Sequence, residues 1–167
     1  PVAWDNILAD AKTKKAALNA DLIIYGSLAS RNNTTRETLK HLLRSSSALR
    51  LVDVNLRPPF DRREWIEELL LLSDFAKLND DELIKIAGWN NKTGSEEELT
   101  KWFSGFYKCP TVCITRGKNG ALLYTDSELF EHSGFQIIPA DTVGAGDSFL
   151  ASLVGSGLPL ERALAAL

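Results

Sequence analysis

The chain has 167 residues, 44% of them hydrophobic and 25% charged, and its 19 basic and 22 acidic residues give a net charge of -3. This composition is typical of a globular protein with one well-buried core, and no cluster of Lys or Arg is dense enough to indicate a nucleic-acid or membrane-surface partner. The longest apolar runs are far below the roughly 20 residues of a membrane span, so we expect a soluble, cytoplasmic protein.

Apolar segments of strand length alternate with amphipathic helical segments along the chain. The predicted strands are short apolar runs that end in polar residues or glycine, at residues 22–25, 51–54, 75–78 and 112–115. This alternation is typical of an α/β protein, in which helices cover both faces of a mostly parallel sheet. Residues 120–132 instead predict a β-hairpin whose arms are residues 121–124 and 129–132.

Helix starts are indicated by capping boxes, in which Ser, Thr, Asp or Asn is followed three residues later by Glu. The pattern precedes amphipathic runs at three places: Thr34 with Glu37, Asp61 with Glu64, and Ser95 with Glu98. We therefore expect an amphipathic helix after each of these residue pairs.

A glycine-rich turn precedes the last apolar helix, where residues 141–149 read Asp-Thr-Val-Gly-Ala-Gly-Asp-Ser-Phe. Gly144 and Gly146 can adopt backbone angles closed to other residues, which exposes successive N–H groups at a helix N-terminus that favours an anion. Asp147 would lie beside a bound phosphate and could accept a proton from an attacking hydroxyl group. A plain turn with a helix cap explains the same residues equally well.

The nine-residue string closely resembles the second signature of the PfkB carbohydrate kinases, Asp-Thr-x-Gly-Ala-Gly-Asp, without a departure at the fixed positions. The resemblance implies a ribokinase-like, Rossmann-type α/β/α fold that transfers the γ-phosphate of ATP to a small sugar with the help of Mg²⁺. It implies that Asp147 is the catalytic base and that Thr142 contacts phosphate. The turn formed by Gly144, Ala145 and Gly146 would stabilise the transferring phosphoryl group.

Residues 53–59 read Asp-Val-Asn-Leu-Arg-Pro-Pro at the end of a predicted strand. This segment resembles the Asp-x-Asn-x-Arg motif of the fructokinase-like branch of the family. The resemblance implies that Asn55 and Arg57 contact ATP, with the Arg57 guanidinium offering a planar cationic fork to phosphate oxygens. Taken alone, the segment is also typical of a strand end with a solvated arginine.

Asn79 and Glu82 follow the next strand and resemble the Asn-x-x-Glu motif, which the family uses to place magnesium and phosphate. Glu82 would act on the metal ion through water, because Mg²⁺ keeps much of its hydration shell. The same two residues fit an N-cap and its N3 partner at the start of a short helix over residues 83–87, and the residues alone favour that interpretation. The two roles can coexist.

Residues 115–120 read Thr-Arg-Gly-Lys-Asn-Gly and resemble the Thr-x-Gly-x-x-Gly nucleotide loop of the family. The resemblance implies that Thr115, Gly117 and Gly120 belong to the ATP site. A tight turn into the hairpin explains the glycines almost as well. The four motifs nevertheless occur in the order of the family, each near the carboxyl end of a predicted strand.

A complete family member is nearly twice as long as this chain, which begins at Pro1 and stops at Leu167 within a helical pattern. We therefore expect residues 1–167 to be part of one kinase domain that lacks the N-terminal lid and is inactive alone. In this family the lid also forms the homodimer contact. The 53–59 segment favours fructose as substrate; a kinase for ribose, a nucleoside or keto-deoxy-gluconate, and a non-catalytic sugar-binding homologue, are the alternatives.

Overall fold

The computed structural model describes residues 3–135 and 144–156. Its strands are β1 (Leu22–Gly26), β2 (Leu49–Asp53), β3 (Phe75–Asn79), β4 (Thr111–Thr115), β5 (Ala121–Thr125) and β6 (Glu128–His132). Its α-helices are α1 (Ala11–Leu18), α2 (Asn33–Ser45), α3 (Arg63–Leu70), α4 (Asp80–Trp89), α5 (Glu96–Tyr107) and α6 (Ala145–Gly155). In these two ranges we find no helix with the length and apolar character that a bilayer crossing needs.

The strands form one sheet in the order β1-β2-β3-β4-β5-β6. β1 to β4 run parallel, whereas β4, β5 and β6 are antiparallel neighbours, so the predicted mostly parallel sheet and the predicted hairpin are both confirmed. In the parallel part, Asp53 of β2 pairs with Lys77 of β3, and Asn79 of β3 pairs with Thr115 of β4. The carboxyl ends of these strands therefore share one edge of the sheet.

Helices pack on both faces of the sheet, as the α/β pattern predicts. On one face, buried residues of α2, α3, α4 and α5 pack against alternate strand residues such as Val52 and Ala76. On the other face, Leu150 and Leu153 of α6 pack against the remaining strand residues, Phe75 among them. Because strand side chains alternate between faces, the residues two positions from a strand residue share its face. Lys77, two residues after Phe75, therefore lies on the α6 face.

Two of the expected helix caps are present and two are not. Asn79 with Glu82 and Ser95 with Glu98 form complete capping boxes at the starts of α4 and α5. The box predicted at Thr34 is wrong, because Asn32 caps α2 two residues earlier by accepting a hydrogen bond of 2.9 Å from the Thr34 N–H.

The box predicted at Asp61 is also wrong. Helix α3 begins after Arg62, which makes no side-chain cap bond. The Asp61 carboxylate instead pairs with Lys85 of α4, an interaction with a distant residue that the local sequence pattern does not contain.

Candidate active site

A cleft of about 430 Å³ opens where the carboxyl ends of β2, β3 and β4 meet the N-terminus of α6. The residues that line it are Asp53, Asn55, Arg57, Lys77, Asn79, Glu82, Thr115, Gly144, Gly146 and Asp147. The fold therefore brings members of all four sequence motifs into one concave site, in keeping with the position of ligands in open parallel sheets.

Four of the predicted site residues are not in this lining, and one of them is Ala145, which lies between Gly144 and Gly146 in the first turn of α6. Thr142 lies outside the described residues. Gly117 and Gly120 form the turn between β4 and β5, and both have positive φ angles, of 55° and 85°. A Cβ atom on Gly120 would lie 1.9 Å from the carbonyl oxygen of His132, so the hairpin itself requires glycine at this position.

The glycine-rich turn has the geometry that binds anions. Gly144 is the N-cap of α6 and lies in the left-handed region, with φ of 77° and ψ of 1°. The first intrahelical bond runs from the Ser148 N–H to the Gly144 carbonyl at 2.9 Å. Preceding N–H groups of a helix have no intrahelical acceptor, so those of Ala145, Gly146 and Asp147 are available at the positive end of the helix dipole.

Asp147 lies where two cavities meet. Besides the cleft, it lines a neighbouring cavity of about 260 Å³ whose other walls include Ile24, Ser27 and Leu150. Its side chain is exposed. A carboxylate between two cavities can accept a proton from a group bound in one as that group reacts with a group bound in the other.

Lys77 is the one residue of this lining that belongs to none of the four sequence motifs. Its Nζ atom lies 2.9 Å from Oδ1 of Asp53, and the two side chains are only 8% and 14% exposed. The Nζ atom is also 3.3 Å from the place where a Cβ on Gly146 would lie, which puts the ammonium group against the first turn of α6. The signal was a lysine inside an otherwise apolar strand, since lysine is almost never fully buried without a partner.

Glu82 is held by backbone groups from two separate segments of the chain. Its two carboxylate oxygens accept hydrogen bonds from the N–H groups of Leu56, at 2.7 Å, and Asn79, at 2.9 Å. Burial raises the pKa of the Glu82 carboxyl above its ordinary value, and these two hydrogen bonds oppose that effect only in part. Glu82 thus joins the loop after β2 to the start of α4, in addition to capping that helix.

Asn55 and Arg57 lie on the loop after β2, and Thr115 is the last residue of β4. Asn55 has a positive φ of 44°, and its carbonyl oxygen accepts a hydrogen bond of 3.1 Å from Ser27. Arg57 is exposed at the cleft, and Thr115 is half-buried at its floor. Arg116 extends its guanidinium to Glu96 and Glu131, which fixes the loop after β4.

The groups that line the cleft suit nucleotide phosphates. They offer few side chains that could bind a metal ion directly. The Lys77 ammonium, the Arg57 guanidinium and the first amides of α6 are groups that attract phosphate oxygens. Across residues 3–135 and 144–156, no group of three or more His, Cys, Asp and Glu side chains could hold a metal ion. A Mg²⁺ ion would fit here through phosphate oxygens and water, with Glu82 acting through water.

Known proteins are similar to this chain in both sequence and fold. The profile of the pfkB family carbohydrate kinases matches residues 2–165. Probable fructokinase-4 of Arabidopsis thaliana is 31% identical over 165 residues, which cover 90% of this chain and 49% of that protein.

Two solved structures are similar over most of the chain. The fructokinase of Vibrio cholerae O395, in its form with bound fructose, ADP and calcium ion, has a TM-score of 0.75 and 24% identity over 87% of this chain and 51% of that chain. Aminoimidazole riboside kinase of Salmonella enterica, complexed with aminoimidazole riboside and an ATP analog, has a TM-score of 0.70 and 25% identity over 84% of this chain and 51% of that chain.

The chain spans about half the length of the curated relative and of both structures. The ribokinase-like α/β fold expected from the sequence is confirmed by these likenesses and by the mostly parallel sheet. Since the family profile covers nearly every residue, the chain belongs to the pfkB family of carbohydrate kinases.

Proposed function

We propose that this chain forms the nucleotide-binding and catalytic part of an ATP-dependent sugar kinase that acts on fructose. The observation that carries the proposal is the position of Asp147, in the first turn of α6 and between two cavities, of which the larger is lined by Arg57 and Lys77. Fructose is the favoured acceptor because residues 53–59 resemble the fructokinase-like branch. In addition, a plant relative whose alignment covers 90% of the chain is named probable fructokinase-4.

The chemistry proposed is in-line phosphoryl transfer. Asp147 accepts the proton of a sugar hydroxyl while the hydroxyl oxygen bonds to the γ-phosphorus and the bond from that phosphorus to the β,γ-bridging oxygen breaks. The N–H groups of Ala145, Gly146 and Asp147 donate to the transferring group, where charge is spread over three oxygens. Arg57 binds phosphate oxygens from the loop after β2. Magnesium would supply neutralisation of phosphate charge, and Glu82 would help to hold the ion through water.

Residues 1–167 would form the carboxyl-terminal part of a single ribokinase-like domain. A lid, most sugar contacts and any homodimer contact made by that lid would come from sequence outside these residues. The cytoplasm, where ATP is available, is the compartment that the proposal implies. A polypeptide of residues 1–167 alone should not turn over a sugar.

The test is ADP release by the protein expressed from the complete gene, with ATP, Mg²⁺ and separate additions of fructose, ribose, keto-deoxy-gluconate and adenosine. We expect turnover with fructose and much lower turnover with the other acceptors. Turnover with another acceptor would support the proposed kinase activity and would show that fructose is not the substrate. Absence of ADP release with every acceptor, from a folded protein, would favour a non-catalytic sugar-binding homologue.

A further inference from the structure

The turn after β1 forms one wall of the smaller cavity but has no role in the proton transfer or in phosphate binding. Residues 26–29 of this turn line the cavity of about 260 Å³, together with Asn55 from the loop after β2. Asp147 lines the same cavity, so a sugar hydroxyl that gives its proton to Asp147 lies against this wall. The position of the wall therefore decides how closely the sugar approaches the base.

Arg31 ends this turn and contacts two other segments of the chain. Its Nε and Nη2 atoms donate hydrogen bonds of 2.8 and 3.0 Å to the two carboxylate oxygens of Asp5. Its guanidinium carbon lies 4.8 Å from the centroid of the Phe60 ring, in the loop after β2. A planar guanidinium can make a bidentate ion pair and stack on an aromatic ring at the same time, whereas an ammonium group cannot match both contacts. Arg31 thus links three segments.

The carboxylate that pairs with Arg31 is itself fixed in place. Asp5 is only 5% exposed and lies in a short 3₁₀ turn before α1. The hydroxyl group of Thr35 in α2 accepts a hydrogen bond of 3.0 Å from the Ile7 N–H and donates one of 2.6 Å to the carbonyl oxygen of Trp4. The backbone on each side of Asp5 is therefore anchored to α2, and Asp5 holds the guanidinium of Arg31 at a defined angle.

Two contacts join the turn after β1 to the loop after β2. At the cavity, the Ser27 hydroxyl group donates a hydrogen bond of 3.1 Å to the carbonyl oxygen of Asn55. Farther along both segments, Arg31 stacks on Phe60. Neither Arg31 nor Phe60 is among the described residues that line the two cavities, so Arg31 acts on the smaller cavity through the wall that it supports.

The loop after β2 has a separate support on its phosphate side. Glu82 accepts a hydrogen bond of 2.7 Å from the Leu56 N–H, next to the part of the loop that lines the larger cleft. The turn after β1 has no such contact with Glu82 and meets the loop through Ser27 and Arg31. Loss of the Arg31 contacts therefore frees the turn after β1 and leaves the loop after β2 held by Glu82.

We infer that Arg31 is a positioning residue for the sugar acceptor, and this inference rests on the proposed kinase function. Arg31 holds the turn after β1 between Asp5 and Phe60, so that residues 26–29 keep the sugar hydroxyl close to Asp147. Net stability is a weak reason for the ion pair, because removing both charges from water offsets much of their attraction. Geometry is the stronger reason, since misplacing a reacting group by about 1 Å can cost about 10²-fold in rate.

Steady-state kinetics of the protein expressed from the complete gene test this role, with the acceptor that the wild type turns over fastest. Arg31→Met should raise the KM for the sugar about tenfold or more and lower kcat/KM with it, because contacts along the wall are lost. The KM for ATP should stay within about twofold of the wild-type value, because the contact between Glu82 and Leu56 remains.

Variants of Phe60 test the same link without disturbing the buried ion pair. Phe60 is 39% exposed, so Phe60→Leu and Phe60→Tyr should both fold. The leucine variant loses the aromatic face under the guanidinium and should raise the KM for the sugar about two- to fivefold, whereas the tyrosine variant keeps that face and should match the wild type.

Arg50→Met is the matched control for Arg31→Met. Arg50 also makes a bidentate pair, with Asp74, but this pair lies near the amino ends of β2 and β3, at the edge of the sheet opposite the cavities. The control variant should therefore leave the KM for the sugar and the KM for ATP unchanged.

The outcomes are distinguishable. A rise in the KM for the sugar without a rise in the KM for ATP, in Arg31→Met and in Phe60→Leu, supports the inference. Equal changes in both KM values, or no change, in folded Arg31→Met show that Arg31 only supports the fold and overturn the inference. Should Arg31→Met not fold, a wild-type KM for the sugar in Phe60→Leu overturns it instead. Absence of turnover by folded wild-type protein with every acceptor contradicts the proposed function, and the inference fails with it.

Discussion

The carboxylate of Glu82 in α4 accepts a hydrogen bond of 2.7 Å from the backbone N–H of Leu56, in the loop after β2. The contact joins two motifs that are 26 residues apart in sequence, because Leu56 lies between Asn55 and Arg57 at the cleft. Glu82 therefore positions the candidate phosphate contacts as well as capping its own helix.

The free energy of unfolding should depend on pH in opposite ways at the two capping glutamates. Burial raises the pKa of the Glu82 carboxyl in the folded protein above its ordinary value of 4.5. As the pH rises, this carboxyl therefore ionises in the unfolded chain before it ionises in the folded one. The stability of the wild type relative to Glu82→Gln should consequently fall as the pH rises above about 4.5. Hydrogen bonds from Ser95 lower the pKa of Glu98, so stability relative to Glu98→Gln should rise with pH up to about 4.5 and be lost on acidification.

Urea unfolding between pH 3 and pH 7, on the wild type and both glutamine variants, measures these differences. Glu98→Gln is the matched control, because both residues occupy the N3 position of a complete capping box. Identical pH profiles for the two differences would contradict the environments described for these carboxylates.

Gly120→Ala should destabilise the hairpin strongly. The new Cβ would lie 1.9 Å from the backbone oxygen of His132, and φ at this residue is 85°, so strain of about 1–3 kcal/mol adds to the steric clash. Gly105→Ala in α5 is the control, because its Cβ would meet nothing within 4 Å and the helix should gain about 0.5–1 kcal/mol. Equal thermal unfolding temperatures for these two variants would show that the turn between β4 and β5 is not as described.

Arg57→Met should reduce ATP affinity and leave stability unchanged. The side chain is exposed at the cleft, so its truncation removes a charged donor to phosphate without opening a cavity in the core. The expected loss is about tenfold or more in ATP affinity, measured by titration calorimetry. Arg44→Met, an exposed arginine of α2, should bind ATP like the wild type. Unaltered ATP affinity in Arg57→Met would remove Arg57 from the phosphate site.

The sequence predicted the sheet well because its strands are short apolar runs bounded by polar residues or glycine. Each predicted parallel strand agrees with β1 to β4 within two residues. Helix starts were harder, since a capping pattern does not show which of several nearby polar residues caps the helix. Asn32 caps α2 in place of Thr34. Asp61 forms an ion pair with Lys85, which is distant in sequence, instead of capping α3.

The site was predictable where its residues belong to contiguous motifs. Asn55 follows β2, whereas Asn79 and Thr115 are the last residues of β3 and β4, and the parallel order of these strands places all three residues at one edge of the sheet. Lys77 was not predictable in the same way. Its position in the site depends on the strand register that sets it beside Asp53 and on α6, which packs over it and begins more than 60 residues later. The residues next to Lys77 in the sequence predict neither contact.

The most direct test of the account compares turnover of the wild type and Asp147→Asn, both expressed from the complete gene, with ATP, Mg²⁺ and fructose. Asp147 is exposed, so the asparagine variant should fold normally, while loss of the base should lower kcat about 10²–10⁴-fold. Asp126→Asn in the β5–β6 turn, which has a φ of 51° that asparagine tolerates, should match the wild type. Turnover of Asp147→Asn close to that of the wild type would contradict the central claim that α6 presents the catalytic base.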